Sequence, residues 1–176
     1  MMRVIAGEFR SRKLKTLPGL DTRPTPDRLR EALFNILAPR IAGVTFLDAY
    51  AGTGSVGIEA LSRGAERAIF VEKNRAAVDV IRENLSALGL ANRAEVFTGK
   101  SIWVLDRLAA DIVFLDPPYE LQREYDESMQ VLAARSYPRV IVQHASRFQL
   151  AVEYGPLRRT RVVKQGDNSL SFYERS

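Results

Sequence analysis

Val44-Thr45-Phe46-Leu47-Asp48-Ala49-Tyr50-Ala51-Gly52-Thr53-Gly54-Ser55-Val56-Gly57 is the stretch on which the fold turns. Val44 to Asp48 is an apolar run ending on an acid, which reads as a buried strand, and Ser55 to Ser62 beyond it reads as a helix. Glycines at a strand-to-helix turn let backbone approach a ligand that a Cβ would exclude, and the helix start offers free N–H groups. Gly52, Gly54 and Gly57 satisfy G-x-G-x-x-G, a spacing that is weak evidence on its own.

Outward from this turn the same alternation continues. Strands are expected at Ala68 to Val71, Ala94 to Phe97, Ile112 to Leu115, Val140 to Val142, Arg161 to Val163 and Leu170 to Tyr173, making seven with the first. Helices are expected at Arg75 to Leu88, closed by Gly89, at Ile102 to Leu108 and at Glu124 to Ala134. Strands that alternate with helices build a mostly parallel α/β sheet of Rossmann-like type. The last two strands have no helix between them, so they are expected to form an antiparallel hairpin through Gly166-Asp167-Asn168. Upstream, Pro26 to Leu37 reads as a helix with Thr25 as N-cap and Leu29, Leu33, Phe34 and Leu37 on one face. Val4 to Leu14 reads as a small basic hairpin or arm, so the chain divides into an N-terminal arm over 1–24 and a main domain over 25–176.

Glu72 lies twenty residues after Gly52, at the end of the second strand, where its carboxylate can accept from ribose hydroxyls. NAD and S-adenosylmethionine both carry such a ribose. Asp48 separates them, because an acid at the strand tip repels a pyrophosphate and suits the ammonium of a methionine moiety. The expected cofactor is therefore S-adenosylmethionine, held by Asp48, Ala49, Gly52, Gly54 and Glu72, with Lys73 bordering the ribose. Gly99-Lys100-Ser101 resembles the end of a P-loop, but Ala94 stands where that motif needs its first glycine.

Asp116-Pro117-Pro118-Tyr119 follows the apolar run Ile112 to Leu115. In an open parallel sheet ligands sit beyond the carboxyl ends of the strands, so this tetrapeptide should share a crevice with Gly52, Gly54 and Glu72. An exocyclic amine on a nucleic-acid base is a poor nucleophile because its lone pair is delocalised into the ring. The Asp116 carboxylate and the Pro117 carbonyl can accept its two N–H bonds, which favours a tetrahedral nitrogen, and two prolines stiffen the pair. Tyr119 offers a face on which an extruded base can stack. This chemistry requires neither a metal nor a covalent enzyme intermediate.

The chain has 176 residues, 46% of them hydrophobic, enough for one well-cored domain. It has no cysteine, which fits a reducing compartment, and no apolar run suited to a signal peptide or membrane helix, so a cytoplasmic protein without membrane contact is expected. Net charge is +5, and residues 1–40 hold nine Lys/Arg against four acids. Arg3, Arg10, Arg12, Lys13 and Lys15 lead that excess and could meet phosphates, as could Arg158, Arg159, Arg161 and Lys164. His144, the only histidine, is expected to be structural, and Trp103 is expected to be a core aromatic.

Taken together, Arg3-Val4-Ile5-Ala6-Gly7, Arg12-Lys13-Leu14, Arg23-Pro24-Thr25, Asp27 to Leu37, Asp48 to Gly64, Asp116 to Tyr119 and Gly166 to Tyr173 resemble the RsmD family, the 16S ribosomal RNA (guanine-N2) methyltransferases. The resemblance implies a seven-stranded S-adenosylmethionine-dependent methyltransferase fold. It further implies a guanine of ribosomal RNA in the small ribosomal subunit as acceptor; a monomer is expected. By the same resemblance, Arg23 and Thr25 would cover the cofactor and the basic hairpin would grip RNA. Related methyltransferases often place an acid after the third strand to receive the adenine amino group, where this chain has Gly99-Lys100-Ser101. Adenine recognition would then use backbone or the Ser101 hydroxyl. Three rivals stand beside this reading: a DNA adenine-N6 methyltransferase, a NAD-dependent oxidoreductase, and a non-catalytic RNA-binding assembly factor.

Overall fold

A computed structural model of the chain describes residues 2–19, 26–118 and 122–176. β1 (Met2–Arg3) and β2 (Lys13–Leu14) pair as a short antiparallel hairpin. After α1 (Asp27–Leu37), strands and helices alternate: β3 (Thr45–Asp48), α2 (Ser55–Ser62), β4 (Arg67–Glu72), α3 (Arg75–Ala87), β5 (Ala94–Thr98), α4 (Ser101–Val104), β6 (Ile112–Leu115), α5 (Gln122–Ala134) and β7 (Arg139–Ala145). The chain closes with β8 (Glu153–Tyr154), β9 (Leu157–Gln165) and β10 (Asn168–Arg175). The main sheet runs β5-β4-β3-β6-β7-β10-β9-β8, with β3 to β7 parallel and β10 antiparallel to both neighbours. All seven expected strands form, and the eighth, β8, is a two-residue edge strand.

The topology places the crevice. From β3 the chain steps outward to β4 and β5, then returns to β6 on the other side of β3, so the connections leave β3 and β6 in opposite directions. Alternate residues of the central strands feed two cores. Phe46, Phe70 and Phe114 meet Leu33, Phe34, Ile58 and Ile81 on one face; Leu47, Val71 and Val113 meet Tyr125, Met129 and Leu132 on the other. Burial on both faces explains why these strands read as continuous apolar runs.

Helix boundaries follow local chemistry with two departures from the sequence reading. α1 starts at Asp27 with Pro26 in the N-cap position, and Thr25 lies outside the described residues. Its expected face is buried, Leu29, Leu33, Phe34 and Leu37 being nearly inaccessible. α3 ends at Ala87 and is closed, as expected, by Gly89, whose φ is 69°, with the Leu90 N–H donating to the Leu85 carbonyl at 2.8 Å. α4 stops at Val104 rather than Leu108. The Tyr137 hydroxyl lies 2.7 Å from the Leu105 carbonyl and 2.6 Å from that of Leu108, giving the chain a partner outside the helix.

The N-terminal hairpin is docked on α1, α2 and α3. Val4 and Leu14 enter the core. Glu59, fully buried in α2, accepts from the Ile5 N–H at 2.9 Å, the Ala6 N–H at 3.0 Å and the Arg63 guanidinium at 2.9 Å. Gly7 has φ +86°, and a Cβ there would lie 2.0 Å from the Ser62 carbonyl oxygen, so the close approach needs glycine. Arg30 belongs to the basic excess of residues 1–40, yet it is fully buried: its guanidinium donates to the Arg3 carbonyl at 2.7 Å and pairs with Asp27. Burial lowers its pKa against the opposing pull of Glu59 and Asp27.

Candidate active site

A cavity of about 340 Å³, large enough for a cofactor-sized ligand, opens at the carboxyl ends of β3, β4, β5 and β6. Asp48, Gly52, Glu72, Lys73, Ser101, Asp116 and Pro118 all line it. The structure thus brings the glycine turn together with Asp116 and Pro118 in one cleft, as expected from the topology.

Asp48 ends β3 and is 1% exposed, with its carboxylate accepting the Gly57 N–H of α2 at 3.0 Å. Burial pushes its pKa up to about 7; the Gly57 bond opposes this, while the charges of Asp116 and Glu72 add to it. Glu72 is held at both oxygens, by the Gly52 N–H at 2.8 Å and the Asn74 N–H at 2.9 Å. Two further lone pairs on that fixed carboxylate remain for ligand hydroxyls. Asp116 follows β6 and is half-buried. Four carboxylates border the cavity, Asp48, Glu72, Asp116 and Glu124, against the two cations Lys73 and Lys100. Such a wall favours a cationic ligand and disfavours a pyrophosphate, which weighs against the dinucleotide reading of the glycine spacing.

Each glycine of the turn has its own reason. Gly52 (φ +58°) lines the cavity, with nothing within 4 Å of where a Cβ would sit. Gly54 (φ +90°) faces Ile81, Phe70 and Ile58, so it serves the turn and the packing rather than the cavity. Gly57 lets α2 rest on β4, since a Cβ would come within 2.4 Å of the Phe70 ring. Ala49 is wholly buried, with its N–H donating to Phe114 and its carbonyl accepting the Ser101 hydroxyl. The Ser101 proton is therefore committed inside the protein, and its oxygen keeps acceptor capacity.

The Pro117 carbonyl accepts the hydroxyl of the buried Tyr125 at 3.2 Å. Tyr125 fixes the direction of that carbonyl. Tyr119, Arg23 and Thr25 lie outside the described residues.

Sequence reasoning missed several lining residues. Glu124 enters from the first turn of α5, and Tyr50 crosses to Ser128 at 3.1 Å, its pKa pushed up to about 12 mainly by burial. Met2, Thr16 and Gly19 show that the N-terminal segment reaches the cavity. Only the glycine turn carried a local signal for Tyr50; nothing in the spacing points to the others.

Arg3, Arg10, Arg12, Lys13 and Lys15 are all exposed. Arg3 donates to the Ser11 carbonyl, Arg12 to the Ala87 carbonyl, and Lys15 pairs with Glu83. His144 sits in β7 between the Ser171 hydroxyl at 2.8 Å and the Ala145 carbonyl at 2.9 Å; burial lowers its pKa, and it does not line the cavity. Trp103 is 63% exposed, which corrects the expectation of a core aromatic: Ser101 and Leu105 take the buried side of α4 and leave Trp103 on the other. Among the described residues no helix is long and apolar enough to cross a membrane.

The sheet order, with its switch between β3 and β6 and its antiparallel β10, is that of the S-adenosylmethionine-dependent methyltransferase fold. Within that class the chain belongs to the RsmD family: the family model described as conserved hypothetical protein 95 matches residues 2–174. It is 34% identical to the candidate rRNA methyltransferase YlbH of Bacillus subtilis, over 99% of each chain. With the ribosomal RNA small subunit methyltransferase D of Haemophilus influenzae it shares 42% identity over 67% of this chain and 64% of that one. The solved structure of yhhF, a candidate methyltransferase from Escherichia coli, superposes with a TM-score of 0.89 at 33% identity, covering 99% of this chain and 98% of that one.

Proposed function

We propose that this protein methylates the exocyclic N2 amine of a guanine in 16S ribosomal RNA of the small ribosomal subunit, as a monomer in the cytoplasm. The observation that carries the reading is the single cavity in which Asp48, Glu72 and Asp116 converge. Bound S-adenosylmethionine supplies an electrophilic methyl on a sulfonium. Glu72, already oriented by two backbone donors, accepts from the ribose hydroxyls, with Lys73 at their border. Asp48 faces the amino group of the methionine moiety, while Ala49, Gly52 and Gly54 shape the loop beneath it. Ser101 contributes an acceptor and neighbouring backbone near the adenine, and Arg23 and Thr25 close over the cofactor from the N-terminal segment.

The acceptor amine is oriented by the Asp116 carboxylate and the Pro117 carbonyl, with Pro118 stiffening the turn and Tyr119 stacking on the base. Residues 1–24 serve as the RNA-gripping unit, through Arg3, Arg10, Arg12, Lys13 and Lys15, and residues 25–176 as the catalytic one. The small-subunit RNA methyltransferases among the relatives support the choice of acceptor.

Asp116→Ala tests the assignment. Transfer should fall on the order of a hundred- to a thousand-fold, the cost of removing a preorganised polar partner of the reacting group. Calorimetric cofactor binding should stay close to that of the unmodified protein. Unimpaired turnover by the variant would remove Asp116 from the mechanism.

A further inference from the structure

Trp103 is the only tryptophan of the chain, and at 63% exposure it is the most accessible large hydrophobic side chain among the described residues. An indole is a large amphipathic face that suits contact with a partner, and here it stands beside two cations. Its position is defined from both sides. Lys100 and Ile102 line the cofactor cavity, whereas Trp103 does not, so the indole stands just outside the rim. The Lys100 ammonium lies 5.1 Å from the ring centroid, and the Arg107 guanidinium donates to the Trp103 carbonyl at 3.2 Å. Asp106, the one acid from Gly99 to Ala110, is paired with Arg135 at 2.7 Å, so Lys100 and Arg107 outnumber the acids of this stretch.

A largely exposed indole with a lysine over its ring and an arginine at its backbone carbonyl is complementary to a nucleotide, whose base offers a π-face and whose phosphate carries the charge. A neutral or basic protein surface would satisfy neither cation. Extruding the target base also leaves neighbouring bases unstacked, and an aromatic at the rim can receive one of them. We propose that Trp103 is a stacking platform for an unpaired nucleotide of the RNA substrate outside the target base, with Lys100 and Arg107 at its phosphates. This rests on the reading of RNA as acceptor.

Because the indole is unique, its own emission reports the contact. Protein-free small-subunit rRNA should quench the fluorescence of the full chain, with quenching lost as salt rises, while S-adenosylmethionine alone should leave it nearly unchanged. Trp103→Ala should raise KM for the RNA about ten-fold with kcat and cofactor affinity preserved, and Trp103→Phe should restore most of the loss. Val152→Ala, at an apolar site 51% exposed beside the opposite edge of the sheet, should match the unmodified protein. Indole emission unmoved by the RNA would overturn the platform, as would quenching by the cofactor alone, which would make Trp103 a cofactor cover. A KM defect confined to protein-bearing subunits would assign the indole to a protein contact instead. Absence of methyl transfer by the unmodified protein would sink the enzymatic reading separately, since quenching is read without turnover.

Discussion

Asp48 holds a buried carboxylate against two others, and its pKa stands at about 7 rather than at the ordinary 3.8. A cationic amine placed beside it favours the charged form, so cofactor affinity should rise with pH until the group is ionised. Between pH 6 and 8 the gain should approach ten-fold, and Asp48→Asn should flatten it, as read by calorimetry at each pH. The sign for stability is opposite. The folded state holds a proton that the unfolded chain releases near pH 4, so this contribution is full below that value and is lost as pH rises through about 7. The thermal midpoint of Asp48→Asn should therefore gain on the unmodified protein as pH is raised over that interval. A variant whose pH dependence parallels the original would show that Asp48 does not titrate there. Asp48 was legible because an acid at a strand tip before glycines has few other uses. Glu124 was not, since the turn of α5 that carries it reaches the cavity only through the tertiary fold. Trp103 was misread because a helix of four residues has too little periodicity to assign a buried face.

Strands and helices show where such reading succeeds and where it stops. β3, β4, β6 and β7 are buried on both faces, so their composition alone marks them, and the glycine turn after β3 fixes the next helix. β8 escaped notice because a two-residue edge strand has no pattern, and the end of α4 depends on Tyr137, a residue more than thirty positions away. The docking of the β1–β2 hairpin was equally hidden. It depends on Glu59, which satisfies two hairpin N–H groups and lies between the charges of Arg63 and the buried Arg30. Glu59→Gln breaks the buried Glu59–Arg63 pair and leaves the exposed Asp27 as the carboxylate partner of buried Arg30, a loss of about 3–5 kcal/mol. The melting temperature should drop by roughly 10 °C. Amide exchange at Ile5 and Ala6 should accelerate most, and protection there equal to that of the unmodified chain would refute the anchoring role.

Across the whole molecule, the hairpin that carries the basic side chains also sends Met2, Thr16 and Gly19 to the cavity, so grip and chemistry are joined by one segment. Arg10 and Lys13 are exposed, and neither has an ion pair among the described residues. Replacing both by Ala should weaken RNA binding with little regard to sequence and reduce the slope of log K against log salt by about 1–2, at unchanged melting temperature. An unaltered salt slope would move the RNA to another face. The enzymatic account itself is tested most directly by nucleoside mass spectrometry of small-subunit RNA, isolated from cells lacking this protein and incubated with it and S-adenosylmethionine. One guanosine should gain a methyl at N2, and the Asp116→Ala protein should leave it unmodified. Recovery of unmethylated RNA alone from the unmodified protein, or methyl appearing instead on adenine of duplex DNA offered in parallel, would contradict it.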